Sequence, residues 1–371
     1  MRISAPSPCP ALPSPRFEQP AKRESVKLKR YELTPQMRDY DDMKDPGQRH
    51  YLPYLMFFHR TDFATQAVNT DRSGFRISTG PGGAKASAAG PLPPGPVRIL
   101  AGGSTALGVG ASSDSHTLSS LLWSKYAPSR PWLNFGSYCF TPTQEVLLLT
   151  LYRHLLGDID EIVIFSGINA VVVARLPEWQ QGDHGAFFFC GDYFTKMEEL
   201  REQSRGGSRL FGRRSGSDGG RPTVSTLDDV RRDMPTVIDS AAEMTIRQLD
   251  LWRRMAGPNT RISYVLQPMS RWMGKRPAPQ EKTLFEENDR MAELGPWDDV
   301  YGDIATQEFA EAYAKALRVG CEQQGVRFFD LNPVVAAAIT DQDWLFVDRV
   351  HYNDAGHDLV ARITAEALDL A

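Results

Sequence analysis

Five short apolar runs, at residues 97–100, 132–135, 161–165, 262–266 and 326–331, are separated by stretches with helical spacing, and this alternation limits the folds open to the chain. Runs of four to six apolar residues closed by Gly, Asn or Pro read as strands covered on both faces. The intervening segments 117–126, 143–156 and 237–255, a helix marked by Phe309, Tyr313 and Leu317, and the terminal stretch 356–370 read as helices. Strand, helix, strand in repeated order produces parallel pairing through right-handed crossovers. The expected fold class is therefore α/β, a three-layer sandwich around a doubly wound parallel sheet of about five strands.

The flanking composition divides the rest of the chain. Residues 1–28 are rich in Pro, Ser and charge and predict a disordered tail. Residues 29–96 predict an arm, aromatic up to Ile77 and then a Gly/Pro/Ala connector, packed across the outside of a domain that occupies 97–371. Two insertions interrupt that domain. One near 204–223 carries five arginines and almost no apolar residues, as a solvated loop does, while one near 271–303 carries Trp272, Met273, Phe285 and Trp297 and is long enough for a lid.

Composition excludes several classes of function. A net charge of −4 with dispersed Lys and Arg gives no nucleic-acid-binding surface. Cys9, Cys139, Cys190 and Cys321 have neither metal-ligand nor disulfide-framework spacing, so reduced thiols are expected. No secretory signal or run of about 18 apolar residues is present, which predicts a cytoplasmic chain without a membrane span.

Ser104 is the first chemical candidate. It follows the 97–100 run directly, between glycines that allow a sharp turn, so its hydroxyl should stand at the carboxyl edge of the sheet, where α/β folds bind ligands. The Gly-rich stretch lacks the Gly-Lys-Ser/Thr ending of a phosphate loop, and its G-x-G-x-x-G spacing fails at Ser113. Asp348 and His351, three residues apart before the last helix, suit an orienting acid and a general base. Gly136 and Asn169 follow the second and third strands, so a glycine N–H and an asparagine amide would reach the same edge as oxyanion donors. A metal site made of Asp348, His351, Asp354 and His357 is a weaker rival on ligand spacing, and His357 reads as structural. No cofactor or metal is expected.

Gly102-Gly103-Ser104-Thr105-Ala106-Leu107-Gly108, Asn134-Phe135-Gly136, Gly167-Ile168-Asn169 and Asp348-Arg349-Val350-His351, in this order, resemble the SGNH (GDSL-type) hydrolase superfamily over about residues 97–371. The resemblance implies a flavodoxin-like SGNH fold. It also implies Ser104 as nucleophile, Asp348 and His351 completing a triad, and an oxyanion hole of Ser104, Gly136 and Asn169. Two positions depart from the family pattern and mark a divergent branch: Gly103 replaces the Asp of Gly-Asp-Ser, and Ala170 replaces the Asp of Gly-x-Asn-Asp. The implied activity is cleavage of an O-acyl or acetyl ester of a small molecule or carbohydrate through an acyl-enzyme. Transfer of the acyl group to a sugar or alcohol, or a non-catalytic binding module on the same fold, are the alternatives.

Overall fold

The structure is a computed structural model that describes residues 28–45, 50–52, 54–90, 92–176, 233–292 and 295–370. The tail 1–27, the Arg-rich insertion at 204–223, Cys9 and Cys190 lie outside the described residues. The core is a five-stranded sheet built from β1 (Val97–Gly102), β2 (Trp132–Gly136), β3 (Ile159–Ser166), β4 (Arg261–Leu266) and β5 (Arg327–Asp330). All four pairings are parallel and the order is β2-β1-β3-β4-β5. The chain therefore leaves β1 in one direction to form β2, then returns past it to form β3. That reversal opens the carboxyl edge between β1 and β3, the place where doubly wound sheets bind ligands.

Burial explains why these segments become strands. All six residues of β1 are buried, as expected of a central parallel strand covered on both faces, whereas in edge strand β5 only Phe328 is fully buried. Helices Pro142–Tyr152, Ile168–Ala174, Met234–Ala256 and Gln307–Gln323 pack together on one side, and Leu118–Leu121 packs with Asp354–Leu368 on the other. The Met234–Ala256 helix shows the pattern most clearly. Val237, Ala241, Met244, Thr245, Leu249, Trp252 and Ala256 form its buried stripe, and the Asp233 carboxylate caps its first turn by accepting from Thr236 N at 2.9 Å.

The arm belongs to the same hydrophobic core as the sheet. Met37, Tyr40 and Met43 form the buried face of helix Met37–Lys44. Phe58 and Phe75 meet edge-on at 5.1 Å, and Phe75 lies 4.8 Å from Phe135 of β2. Arg76, 1% exposed, joins arm to core with its whole guanidinium: Nε donates to Asp114 Oδ1, Nη1 to Tyr40 Oη and to the Leu107 and Gly108 carbonyls, and Nη2 to the Ala67 carbonyl. The connector is also tied down, since Ser78–Thr79 pairs with Lys85–Ala86 and Ser87, Ala88 and Ala89 are buried. An aromatic arm without periodicity follows from this: it fills the contours of a finished domain and has no repeat of its own to match.

Three buried titratable groups contribute to the pH dependence of the fold in the range from about 4 to 8. Burial lowers His59 to about 4 and His357 to about 3, so both are neutral in the native state. Unfolding restores their ordinary value of about 6.5, so the unfolded chain takes up more protons and stability falls as pH drops through the window from about 6.5 to 4. Glu145 has the opposite sign. Burial raises it to about 8 against a hydrogen bond from Ser166 Oγ to Oε1, so its contribution is lost as pH climbs from about 4.5 to 8. Thermal melts at about pH 5, 6.5 and 8 should give the highest midpoint at 6.5, and Glu145→Gln should flatten the alkaline fall. Stability that keeps rising to pH 8 would contradict this assignment.

Candidate active site

Ser104 begins a one-turn helix, Ser104–Leu107, directly after β1 and the N-cap residue Gly103. The turn leaves the hydroxyl at the sheet edge and half-buried. The first-turn N–H groups, that of Ser104 included, have no acceptor within the helix. A Cβ on Gly103 would stand 2.7 Å from Asn169 Nδ2, so a larger residue there would have to displace the Asn169 amide. The Asn169 side chain thus occupies the space that an Asp in place of Gly103 would need.

Asp348 and His351 are brought together by a local turn. Asp348 Oδ1 accepts from the N–H groups of Val350 and His351, both at 2.8 Å, which folds the three-residue spacing back on itself and turns both side chains the same way. Asp348 Oδ2 then lies 2.7 Å from His351 Nδ1, and His351 Nε2 lies 2.7 Å from Ser104 Oγ. With Nδ1–H donating to the carboxylate, Nε2 carries the lone pair and accepts the Ser104 hydroxyl. Burial pushes the Asp348 carboxyl up. The neighbouring His351 charge and the hydrogen bonds from His351 and Val350 outweigh it and hold the group well below the usual carboxylate range. A firmly ionised Asp348 is what keeps the imidazole in this tautomer.

The segment expected to act as a lid holds this turn in place. Trp272 is 2% exposed and its indole N–H donates to the Ile304 carbonyl, while Leu284 and Phe285 are also buried. Glu281, fully buried, accepts from Leu345 N and Phe346 N through Oε1 and from Ala278 N and Lys275 Nζ through Oε2. Ser270 Oγ donates to the Arg349 carbonyl, and Arg349 forms a two-pronged pair with Asp289 at 2.8 and 2.6 Å. The insertion thus grips the Asp348–His351 loop from outside. Trp297 and Tyr301 are its half-buried aromatic residues beside the site.

Gly136 does not reach the site as expected. Its N–H donates to Asn134 Oδ1 at 3.0 Å, and it is still within β2, packed so closely on the serine helix that a Cβ would meet Leu107 N at 2.1 Å. Its glycine identity comes from helix packing, and its N–H is already used. Asn169 Nδ2 donates one hydrogen to the Phe140 carbonyl at 2.9 Å and keeps the other. The 137–140 loop between Gly136 and Asn169 includes Cys139 at φ +52°, a left-handed residue that carries no glycine signal in the sequence. The remaining candidates diverge: Asp354 binds Ser112 through both N and Oγ, and His357 Nε2 donates to the Val109 carbonyl. Among the described residues no cluster of His, Cys, Asp and Glu is arranged to hold a metal.

Neither protein-family models nor curated proteins give a match to the chain. Solved structures do. A carbohydrate acetylesterase from Sinorhizobium meliloti aligns at 11% identity and a TM-score of 0.41, covering 74% of this chain and 99% of its own. An aryl esterase from M. smegmatis aligns at 13% and 0.40, covering 74% and 99%. A member of the lipolytic G-D-S-L family from Veillonella parvula aligns at 11% and 0.39, covering 74% and 98%.

Proposed function

We propose that the chain is a serine hydrolase of carboxylic esters with Ser104 as nucleophile. The observation that carries the reading is the continuous relay from Ser104 Oγ to His351 Nε2 and from His351 Nδ1 to Asp348 Oδ2, each link 2.7 Å. A serine hydroxyl is a weak nucleophile until a base takes its proton, and these distances are within hydrogen-bond reach of that transfer.

The chemistry follows from the relay. Ser104 Oγ attacks the ester carbonyl carbon as His351 Nε2 takes the hydroxyl proton, and the carbonyl oxygen becomes an oxyanion. The Ser104 N–H and the second hydrogen of Asn169 Nδ2 are the donors for that oxygen, in a set from which Gly136 is removed. The tetrahedral adduct collapses by breaking the bond to the alcohol oxygen, which receives the proton from His351. Water then repeats the sequence against the acyl-Ser104 ester: His351 takes its proton, the carboxylic acid departs, and Ser104 is reprotonated.

Asn169→Ala removes an oxyanion donor without touching the relay. Turnover of a small acetyl ester, followed by base consumption at fixed pH, is expected to be readily measurable in the wild type. The variant should show kcat lowered about 10²–10³-fold with a smaller change in KM. A variant as fast as the wild type would remove Asn169 from the mechanism.

A further inference from the structure

Glu145 carries a carboxyl group that the reaction above does not use, and it lies 1% exposed near the start of helix Pro142–Tyr152. A buried carboxyl without a cation beside it weakens the fold, because the native state at neutral pH must hold a proton that the unfolded chain has released. An aliphatic side chain would fill the same space without that cost. We propose that Glu145 is a positioning residue for Asn169, and that through Ser166 it holds the strand end from which the Asn169 amide reaches the oxyanion.

The inference rests on the hydrolase reading given above, in which Asn169 is an oxyanion donor, and it begins with two short segments joined twice. Ser166 ends β3, and Asn169 follows in the first turn of helix Ile168–Ala174. Opposite them is the start of helix Pro142–Tyr152, made rigid by a reciprocal cap in which Thr141 Oγ1 accepts from Gln144 N and Gln144 Oε1 accepts from Thr141 N. Phe140 precedes this cap and Glu145 follows it. One bond runs from Asn169 Nδ2 to the Phe140 carbonyl at 2.9 Å, and the other from Ser166 Oγ to Glu145 Oε1 at 2.6 Å. The first alone would let the amide pivot about a single point, and the second fixes the strand end behind it. An oxyanion donor acts only while it is aimed at the place where charge develops, so the second tie bears on the transition state more than on substrate binding.

Ionisation of Glu145 undoes the tie. The titratable groups that face it are Tyr264 of β4 and Tyr313 of helix Gln307–Gln323, with Cys321 near both tyrosines. Burial raises all three above their ordinary values, and Thr245 of helix Met234–Ala256, which bonds to the tyrosines, is uncharged. Among the described residues no cation lies against the carboxyl, and burial raises it to about 8. A charge formed there has nothing to pair with and must draw in water or move toward it, and Ser166, bonded to it, moves as well.

The test is turnover of a small acetyl ester followed by base consumption from pH 6.5 to 9.5. Wild-type kcat should fall about tenfold between pH 7 and 9.5, with KM little changed. Glu145→Gln, which accepts from Ser166 but cannot ionise, should stay within about twofold of the wild type at pH 7 and lose the alkaline fall. Glu145→Leu should keep at least the wild-type melting midpoint at pH 7 and yet lower kcat about tenfold, whereas in an Asn169→Ala background the same change should cost no more than about twofold. A Glu145→Leu loss as large without the Asn169 amide as with it would overturn the positioning role while leaving the hydrolase reading intact. An alkaline fall that persists in Glu145→Gln, or a wild-type kcat that stays level to pH 9.5, would do the same. A wild type that turns over no acetyl ester would refute the hydrolase reading, and the positioning role with it.

Discussion

Ser104→Ala and His351→Ala are each expected to lower kcat on a small acetyl ester by about four to six orders of magnitude, and the double variant should be no slower than the worse single one. The equality is the informative part. Ser104 Oγ and His351 Nε2 share one proton across 2.7 Å, so removing either partner ends the same step. Without the imidazole the hydroxyl keeps its proton, and without the hydroxyl the imidazole has nothing to deprotonate except water. Losses that multiplied in the double variant would mean that the two residues act separately, and the relay would have no chemical meaning. Single-turnover kinetics with each purified variant make the comparison.

Arg76→Met is expected to destabilise the fold by about 3–5 kcal/mol. Methionine fills much of the volume but supplies none of the five N–H donors. Asp114 would lose its guanidinium partner, and the Leu107 and Gly108 carbonyls would lose a buried donor. Those two carbonyls close the helix that begins at Ser104, and Tyr40 Oη, which also donates to Gly108 and Ala111, accepts from the same guanidinium. The arm and the serine turn should therefore loosen together. Urea unfolding should show a lower midpoint with an unchanged slope, and kcat on a small ester should fall as well. An unfolding free energy within about 1 kcal/mol of the wild type would show that the arm is held by its aromatic residues and not by Arg76.

The sheet was legible because its signal is local. Each of the five strands is an apolar run closed by a turn residue, and the structure moves their ends by only one or two positions, as at β1, which continues to Gly102. Ser104, Asp348 and His351 were legible for a related reason: a strand-ending serine and a three-residue Asp-His spacing each describe one turn. Gly136 misled because a glycine at a strand end serves equally for a free N–H and for close packing, and only the distance to Leu107 separates the two. The 271–303 segment carries the same ambiguity. Tryptophans among charges describe a lid as well as a buttress, and the burial of Trp272 and the hydrogen bonds of Glu281 come from partners far off in sequence. The tie between Glu145 and Ser166 had no sequence signal, since the two residues, 21 apart, meet only across the folded sheet edge.

The central claim, that Ser104 is a nucleophile activated by His351, is tested most directly by covalent labelling with a fluorophosphonate. The probe reacts with an activated serine through the same attack that opens ester cleavage, with fluoride as the leaving group, and needs no knowledge of the natural substrate. Wild-type protein should be phosphonylated once, on the peptide containing Ser104, and His351→Ala should label far more slowly. Ser104→Ala labelled at the wild-type rate, or a wild type that does not react, would contradict the account.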